Sequence, residues 1–259
     1  MKIGAYQFPV TGDLDRNFRA MKDAVAQAAS EGVRMLAFPE CALTGYPPRD
    51  LPNSAAVDFS KVEDCLRELA KPAAGHEMYI IAGSITKEEG RFYNSAVILA
   101  PDGTRSVYHK RALWGWDRDN FSPGDSGGVL EIDGVKIGIR ICFEVRFPEY
   151  FRELYQEKTD LNLILFYDVS DFDDGGRYDL IRGHIRTRAV ENVCHTLSVD
   201  TAGPWQTAPT GLYDRSGGVV LELERGREGL LVYDFHPGEL DFGERGRKEY
   251  SDLLTGRSE

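Results

Sequence analysis

The sequence predicts a layered α/β (α+β) chain in which two packed β-sheets carry helices on their outer faces. Three observations support this. About a dozen short stretches show the alternation or the all-apolar run of a β-strand. Four longer stretches carry apolar residues at helical spacing. No linker, repeat, composition break or low-complexity segment interrupts the chain, so a single domain over residues 1–259 is expected.

Residues 2–8 read as a strand that Thr11-Gly12-Asp13 breaks. Leu14, Phe18, Met21, Val25 and Ala28 then share one helical face, and Gly32 follows as a stop. Residues 33–38 are a second strand, leading to Glu40. Residues 41–55, with Gly45, Pro47, Pro48, Pro52 and Asn53, form a long loop of the kind that often carries function. Helical spacing returns over 57–70 through Val62, Cys65, Leu66 and Leu69. Strands at 78–82 and 92–100 flank a Glu-Glu-Gly-Arg turn, and Pro101-Asp102-Gly103 turns into a strand ending at Lys110. A second long loop, 111–126, carries Trp114, Trp116, Asp117, Asp119, Phe121 and Pro123-Gly124.

Residues 129–132 and an Asp133-Gly134 hairpin lead into the central stretch, 135–149. Val135, Ile137, Ile139 and Ile141 alternate with Lys136, Gly138, Arg140 and Cys142. That period puts Cys142 at a strand's carboxyl end, on the face opposite the isoleucines. Pro148 suits the first turn of the helix that follows, marked by Phe147, Tyr150, Phe151 and Leu154. A strand–Cys–turn–helix segment exposes the thiol and leaves free backbone N–H groups beside it, as an oxyanion requires.

Residues 161–166 are a nearly all-apolar strand of the type covered on both faces. A polar loop, 168–176, precedes a helix with Ile181, Ile185, Ala189 and Val190 inward. Residues 194–199, 218–223 and 230–235 read as strands, and Ser216-Gly217-Gly218 as a turn between strands rather than a phosphate loop. The polar tail from Gly238 is expected to be a surface or interface arm.

The formal charge of −11 argues against nucleic acid or an anionic membrane as the main partner. Cys41, Cys65, Cys142 and Cys194 form no C-x-x-C pair, and no His stands at metal-ligand spacing, so neither a metal nor another cofactor is expected. No signal-like apolar segment opens the chain and no run approaches ~20 apolar residues. The expectation is a cytoplasmic, reduced protein.

A cysteine after an apolar strand is by default a packing residue. Here two other strand ends deliver chemistry: Phe38-Pro39-Glu40 and Tyr108-His109-Lys110. Together with Phe121-Ser122-Pro123-Gly124-Asp125, the segment from Gly138 to Glu149 and Arg186-Thr187-Arg188-Ala189-Val190-Glu191-Asn192, they resemble the nitrilase superfamily of carbon–nitrogen hydrolases in order and spacing. The resemblance implies a four-layer αββα sandwich, nitrilase-like, pairing through helices into a homodimer. It further implies Cys142 as nucleophile, Glu40 as general base and Lys110 as the second member of the triad.

That chemistry is sound on its own terms. A free thiol has a pKa near ~8.5 and needs help to ionise at neutral pH. Glu40 can take the thiol proton, pass it to the departing nitrogen, then deprotonate the hydrolytic water. The Lys110 ammonium and the Phe143 backbone N–H would stabilise the tetrahedral oxyanion. The family's second glutamate falls here on Asp117, four residues before Phe121 and one methylene shorter, with Asp119 as the other candidate.

Tyr46, Trp114, Trp116, Tyr167 and Asp168 are expected to line the substrate pocket, because they lie on loops after strand ends. The segment from Leu43 to Leu51 is similar to the glutaminase domain of glutamine-dependent NAD synthetases, but a self-contained synthetase is not expected from this chain length. The leading expectation is a cofactor-free hydrolase of small linear amides, with an amide and water as its small-molecule partners. An N-carbamoyl amine or a nitrile as substrate and, from a different class, a catalytically weak scaffold protein are the alternatives.

Overall fold

The computed structural model describes residues 1–256. In chain order the first half contains β1 (Lys2–Gln7), α1 (Leu14–Ser30), β2 (Met35–Ala37), α2 (Phe59–Gly75), β3 (Tyr79–Glu88), β4 (Arg91–Leu99), β5 (Arg105–His109) and the one-turn α3 (Asp117–Asn120). The second half contains β6 (Val129–Ile132), β7 (Val135–Ile141), α4 (Pro148–Gln156), β8 (Leu161–Leu165), α5 (Gly175–Glu191), β9 (His195–Val199), β10 (Gly211–Tyr213), β11 (Val219–Glu222), β12 (Gly229–Asp234) and α6 (Phe242–Leu254).

The strands form two six-stranded sheets, ordered β12-β1-β2-β3-β4-β5 and β11-β10-β9-β8-β7-β6. Their inner faces meet in one apolar core. Ile3, Ala5, Met35, Ala37, Ile81, Ala96 and Ile98 come from the first sheet; Ile137, Ile139, Ile141, Leu161, Leu163, Leu165, Leu197 and Val199 come from the second. On the outer face of the first sheet Met21, Val25 and Ala28 of α1 and Val62, Leu66 and Leu69 of α2 pack on Leu36, Phe38, Ile80 and Ala82. On the outer face of the second, Phe151 and Leu154 of α4 and Ile181, Ile185 and Ala189 of α5 pack on Ile164 and Phe166. The layers are helix, sheet, sheet, helix, the αββα order expected. The period-two pattern of β7 is used on both sides: isoleucines face the sheet core, and Gly138 faces α4, where a Cβ would stand 2.5 Å from Leu154 Cδ1.

Four local expectations change. The strand expected at 33–38 is reduced to Met35–Ala37. The three-residue β10 was not expected; it pairs with β9 and β11, and three residues are too few for a period to register. The loop at 111–126 contains α3. The tail, expected as a surface or interface arm with no element assigned, forms α6 after Asp241, whose side chain accepts from Glu244 N while Glu244 Oε2 accepts from Asp241 N. Its outer face holds exposed Phe242, Tyr250, Leu253 and Leu254, so polar composition concealed an amphipathic pattern.

Candidate active site

β2, β5, β7 and β8 all release their chains at one end of the sandwich, and each exit delivers a functional side chain. β7 ends at Ile141, and Cys142 opens a 3-10 turn, Cys142–Arg146. Cys142 therefore sits just beyond the strand rather than on its face, at φ 46°, a left-handed conformation that a non-glycine residue adopts at a cost of roughly 1–3 kcal/mol. The Phe143 N–H lies in the first turn, where no intrahelical carbonyl is in register to accept it.

Two buried groups hold this turn. Arg188 of α5 donates through Nε to Val145 O at 2.8 Å. The Glu144 carboxylate accepts from Ile141 N at 2.6 Å, from Tyr108 Oη at 2.8 and 2.9 Å, and from Arg111 N at 2.7 Å. Glu144 thereby ties the end of β7, which carries Cys142, to the end of β5, which carries Lys110. Neither side chain was singled out from the sequence; the available signal for Glu144 was an acid two residues from the thiol, flanked by Phe143 and Val145.

Glu40, Lys110 and Asp117 form a buried charged cluster, each only 1% exposed. Lys110 Nζ donates to Glu40 Oε1 at 2.8 Å and to Asp117 Oδ2 at 2.7 Å. The remaining acceptor capacity of Glu40 is filled by Asn94 Nδ2 at 2.6 Å and Tyr167 N at 2.8 Å. Asp117 accepts from Tyr46 Oη at 2.6 Å and Trp114 N at 3.1 Å. A buried ion pair is tolerable only when its other lone pairs are satisfied, and here they are. Gly83 makes the packing possible: a Cβ there would meet Pro39 O at 1.9 Å and Glu40 Cα at 2.8 Å. Of the two acids considered for this place, Asp117 meets Lys110, whereas Asp119 is exposed on α3.

Lys110, Asp117 and Cys142 line one cavity of about 490 Å³, within the size range of small-molecule sites. Tyr46, Trp114, Trp116, Phe143, Tyr167 and Asp168 line it too, so every pocket residue expected from the sequence is there. Their roles differ. Tyr46 and Tyr167 stack, with ring centroids 5.1 Å apart. Trp114 and Trp116 are half exposed at the rim, in edge contact with each other. Asp168 is not a free acceptor: Arg177 pairs with it at 2.7 and 2.9 Å, Thr207 donates to it, and its own N–H is held by Asp200 at 2.9 Å. Arg49, Arg146 and Arg177 complete the polar wall; none was expected.

The electrostatics follow from burial. Desolvation raises the Glu40 carboxyl above its ordinary value; Lys110 pulls against that shift and Asp117 adds to it. Desolvation also opposes charge on Lys110, but Glu40 and Asp117 more than offset it, and the ammonium is held well above its usual value. The Cys142 thiol is pushed well up by burial and then by Glu40, with Lys110 pulling it down. Burial and Glu40 thus both disfavour charge on the Cys142 sulfur, while Lys110 favours it.

Comparison with known proteins bears on the family and the fold. The family model described as carbon-nitrogen hydrolase matches residues 2–241. An (R)-stereoselective amidase of Pseudomonas sp is 26% identical over 95% of this chain and 87% of its own. An omega-amidase of Xenopus tropicalis is 29% identical over 78% of this chain and 74% of its own. Among solved structures, an amidase from Nesterenkonia sp. AN1, of the nitrilase superfamily, superimposes with a TM-score of 0.83 at 21% identity, covering 99% of this chain and 96% of that one. In that structure the active-site cysteine of the Nesterenkonia protein carries the acetamide moiety of fluoroacetamide, and another variant of it is complexed with butyramide.

Proposed function

This chain belongs to the carbon–nitrogen hydrolase family of the nitrilase superfamily, hydrolases of C–N bonds other than peptide bonds, and from that premise we propose that it hydrolyses small linear amides through a thioester on Cys142. Glu40 removes the thiol proton as sulfur attacks the amide carbonyl. The resulting oxyanion is met by the Lys110 ammonium and the Phe143 N–H. Losing one such donor typically costs about 3–4 kcal/mol in the transition state. As the tetrahedral intermediate collapses, Glu40 gives its proton to the nitrogen and ammonia or an amine leaves. Water, deprotonated by Glu40, then attacks the thioester, and the acid departs with Cys142 again a thiol.

The observation that most supports this reading is the Glu40–Lys110–Asp117 cluster beside Cys142. With all three ionised the cluster carries one net negative charge; once Glu40 has accepted the thiol proton it is neutral, and the new thiolate faces Lys110 without a bare carboxylate opposing it. Asp117 keeps the Lys110 charge matched throughout the cycle. The stacked Tyr46–Tyr167 pair, the edge-on Trp114–Trp116 pair and the cavity size suit a short acyl chain. Pairing of two copies through outer helices belongs to the same reading, with Leu180 exposed on α5 and Phe242, Tyr250, Leu253 and Leu254 on α6. Four free cysteines fit a reducing compartment such as the cytoplasm.

The test is a panel of aliphatic amides, N-carbamoyl amines and nitriles, scored by ammonia release and by acyl adduct on Cys142 in intact mass spectra. Turnover of amides with a transient adduct supports the reading. A reactive Cys142 with no turnover on any of the three classes would overturn it.

A further inference from the structure

We infer that Phe172, with Trp114 and Trp116, forms an aromatic collar at the cavity mouth that receives a ring at the far end of the substrate's acyl chain. The inference rests on the amidase reading above and names the substrate class within it: amides whose short acyl chain ends in an aryl group.

Rings line the cavity from base to mouth, and their exposure rises outward: Tyr46 is 7% exposed, Trp116 40%, Trp114 47% and Phe172 63%. Single exposed apolar side chains are ordinary on a protein surface, but three large rings around one mouth are not scattered. Trp114 and Trp116 meet at 80°, so together they offer an incoming ring both a face and an edge.

Phe172 is held at this mouth. It lies in the loop 168–174 between β8 and α5, and each of the four acids in that loop is tied to an arginine. Asp168 accepts from Arg177 at 2.7 and 2.9 Å, Asp171 from Arg49 at 3.0 Å, Asp173 from Arg225 at 2.6 Å, and Asp174 from the Arg177 N–H at 2.8 Å. Ser170 N donates to Trp205 O at 3.0 Å, and Phe172 N donates to Ser170 Oγ at 3.3 Å. The backbone on both sides of Phe172 is therefore fixed, and the ring does not fold inward without breaking these ties. An apolar ring held outward at the rim of a ligand-sized cavity is stabilised when a second ring covers it. Arg49 joins the two loops: the guanidinium that holds Asp171 lies 5.8 Å from the Trp116 ring centre.

The base of the cavity sets the other end of the substrate. Its carbonyl goes to Cys142 and the buried Lys110, and the acyl chain runs outward past the stacked Tyr46 and Tyr167 to the collar.

The experiment measures ammonia release from butyramide, 4-phenylbutyramide and 4-cyclohexylbutyramide in wild type, F172A, F172Y and W116A. Wild type is expected to favour 4-phenylbutyramide over butyramide by about tenfold in kcat/KM, chiefly through KM, and over the cyclohexyl analogue by about threefold. F172A and W116A should each lower the phenyl-to-butyl ratio about fivefold, and F172Y, which keeps a ring, should preserve it. In parallel, calorimetry compares 4-phenylbutyramide binding to C142A and to C142A/F172A, with weaker binding expected in the double variant, and sedimentation compares subunit number in wild type and F172A. A wild-type phenyl-to-butyl ratio near one, a ratio that F172A leaves in place, equal turnover of the cyclohexyl analogue, or equal binding with and without the Phe172 ring overturns the inference while leaving amide turnover intact. Loss of subunit pairing in F172A with the ratio preserved overturns it too, since the collar is then a contact between copies. If wild type releases ammonia from no amide, the amidase reading falls and the calorimetric comparison decides the collar by itself.

Discussion

Glu40 and Glu144 are both fully enclosed carboxylates placed just after a strand, and their surroundings differ in kind. Glu144 is held by neutral donors alone, a tyrosine hydroxyl and backbone N–H groups from two strand ends. Glu40 is held by an amide, one backbone N–H and a lysine ammonium that it shares with a second carboxylate. The first arrangement fixes geometry. The second leaves a carboxyl whose proton affinity is raised and coupled to a neighbouring thiol. Burial raises the Glu40 carboxyl, with Lys110 opposing the shift and Asp117 adding to it.

The comparison can be broken in several ways, and the largest effect is expected at the residue both acids serve. C142A should lose amide turnover to below about one part in 10⁴, with no adduct from fluoroacetamide and with unfolding unchanged, because a half-buried thiol contributes little packing. Residual turnover near wild type would refute the thioester route. E40Q should lower kcat by about 10²–10⁴ while Cys142 still accepts an alkylating amide, since only proton transfer is removed. Its new amide N–H₂ meets a donor in either orientation, Asn94 and Lys110 or the Tyr167 N–H, so stability should also drop, by roughly 1–3 kcal/mol. A carboxyl raised in the fold contributes stability below its unfolded pKa and loses it as pH rises through the folded value. The stability difference between wild type and E40Q should therefore shrink from about pH 4 upward, as denaturant titrations at several pH values would show.

E144Q should act on turnover only through geometry. Its new amide N–H₂ faces donors rather than acceptors, so stability should drop by roughly 1–3 kcal/mol, and turnover should fall as Cys142 and Lys110 lose their shared tie. A variant as stable as wild type would show that Glu144 does not fix this geometry. D117N removes the second carboxylate that raises Glu40. The acid limb of kcat/KM, expected above the ordinary glutamate value of about 4.3 in wild type, should move to lower pH. The smallest effect is expected for D117E, about three- to tenfold in kcat/KM, because the added methylene displaces a carboxylate already fitted to Tyr46, Lys110 and the Trp114 N–H.

Much of this was legible in the chain itself. The alternation of Val135, Ile137, Ile139 and Ile141 located β7, and its end located Cys142, because side-chain period and strand direction are local properties. The long loops at 41–55 and 111–126 yielded Tyr46, Trp114, Trp116 and Asp117 by the same local logic. What failed locally was short or disguised: β10 has three residues, and α6 hides its apolar face among charges.

The sequence by itself determined the layers and the three residues nominated for chemistry, since patterning and strand ends are written in neighbouring positions. Only the tertiary structure decided that Asp117 rather than Asp119 meets Lys110 and that Asp168 is already taken by Arg177. Those are questions of which charge finds which partner, and partners here come from distant segments: Lys110 and Glu40 are 70 positions apart, Arg49 and Asp171 122. Pairing across such distances is set by how two sheets stack, which no single stretch of sequence encodes.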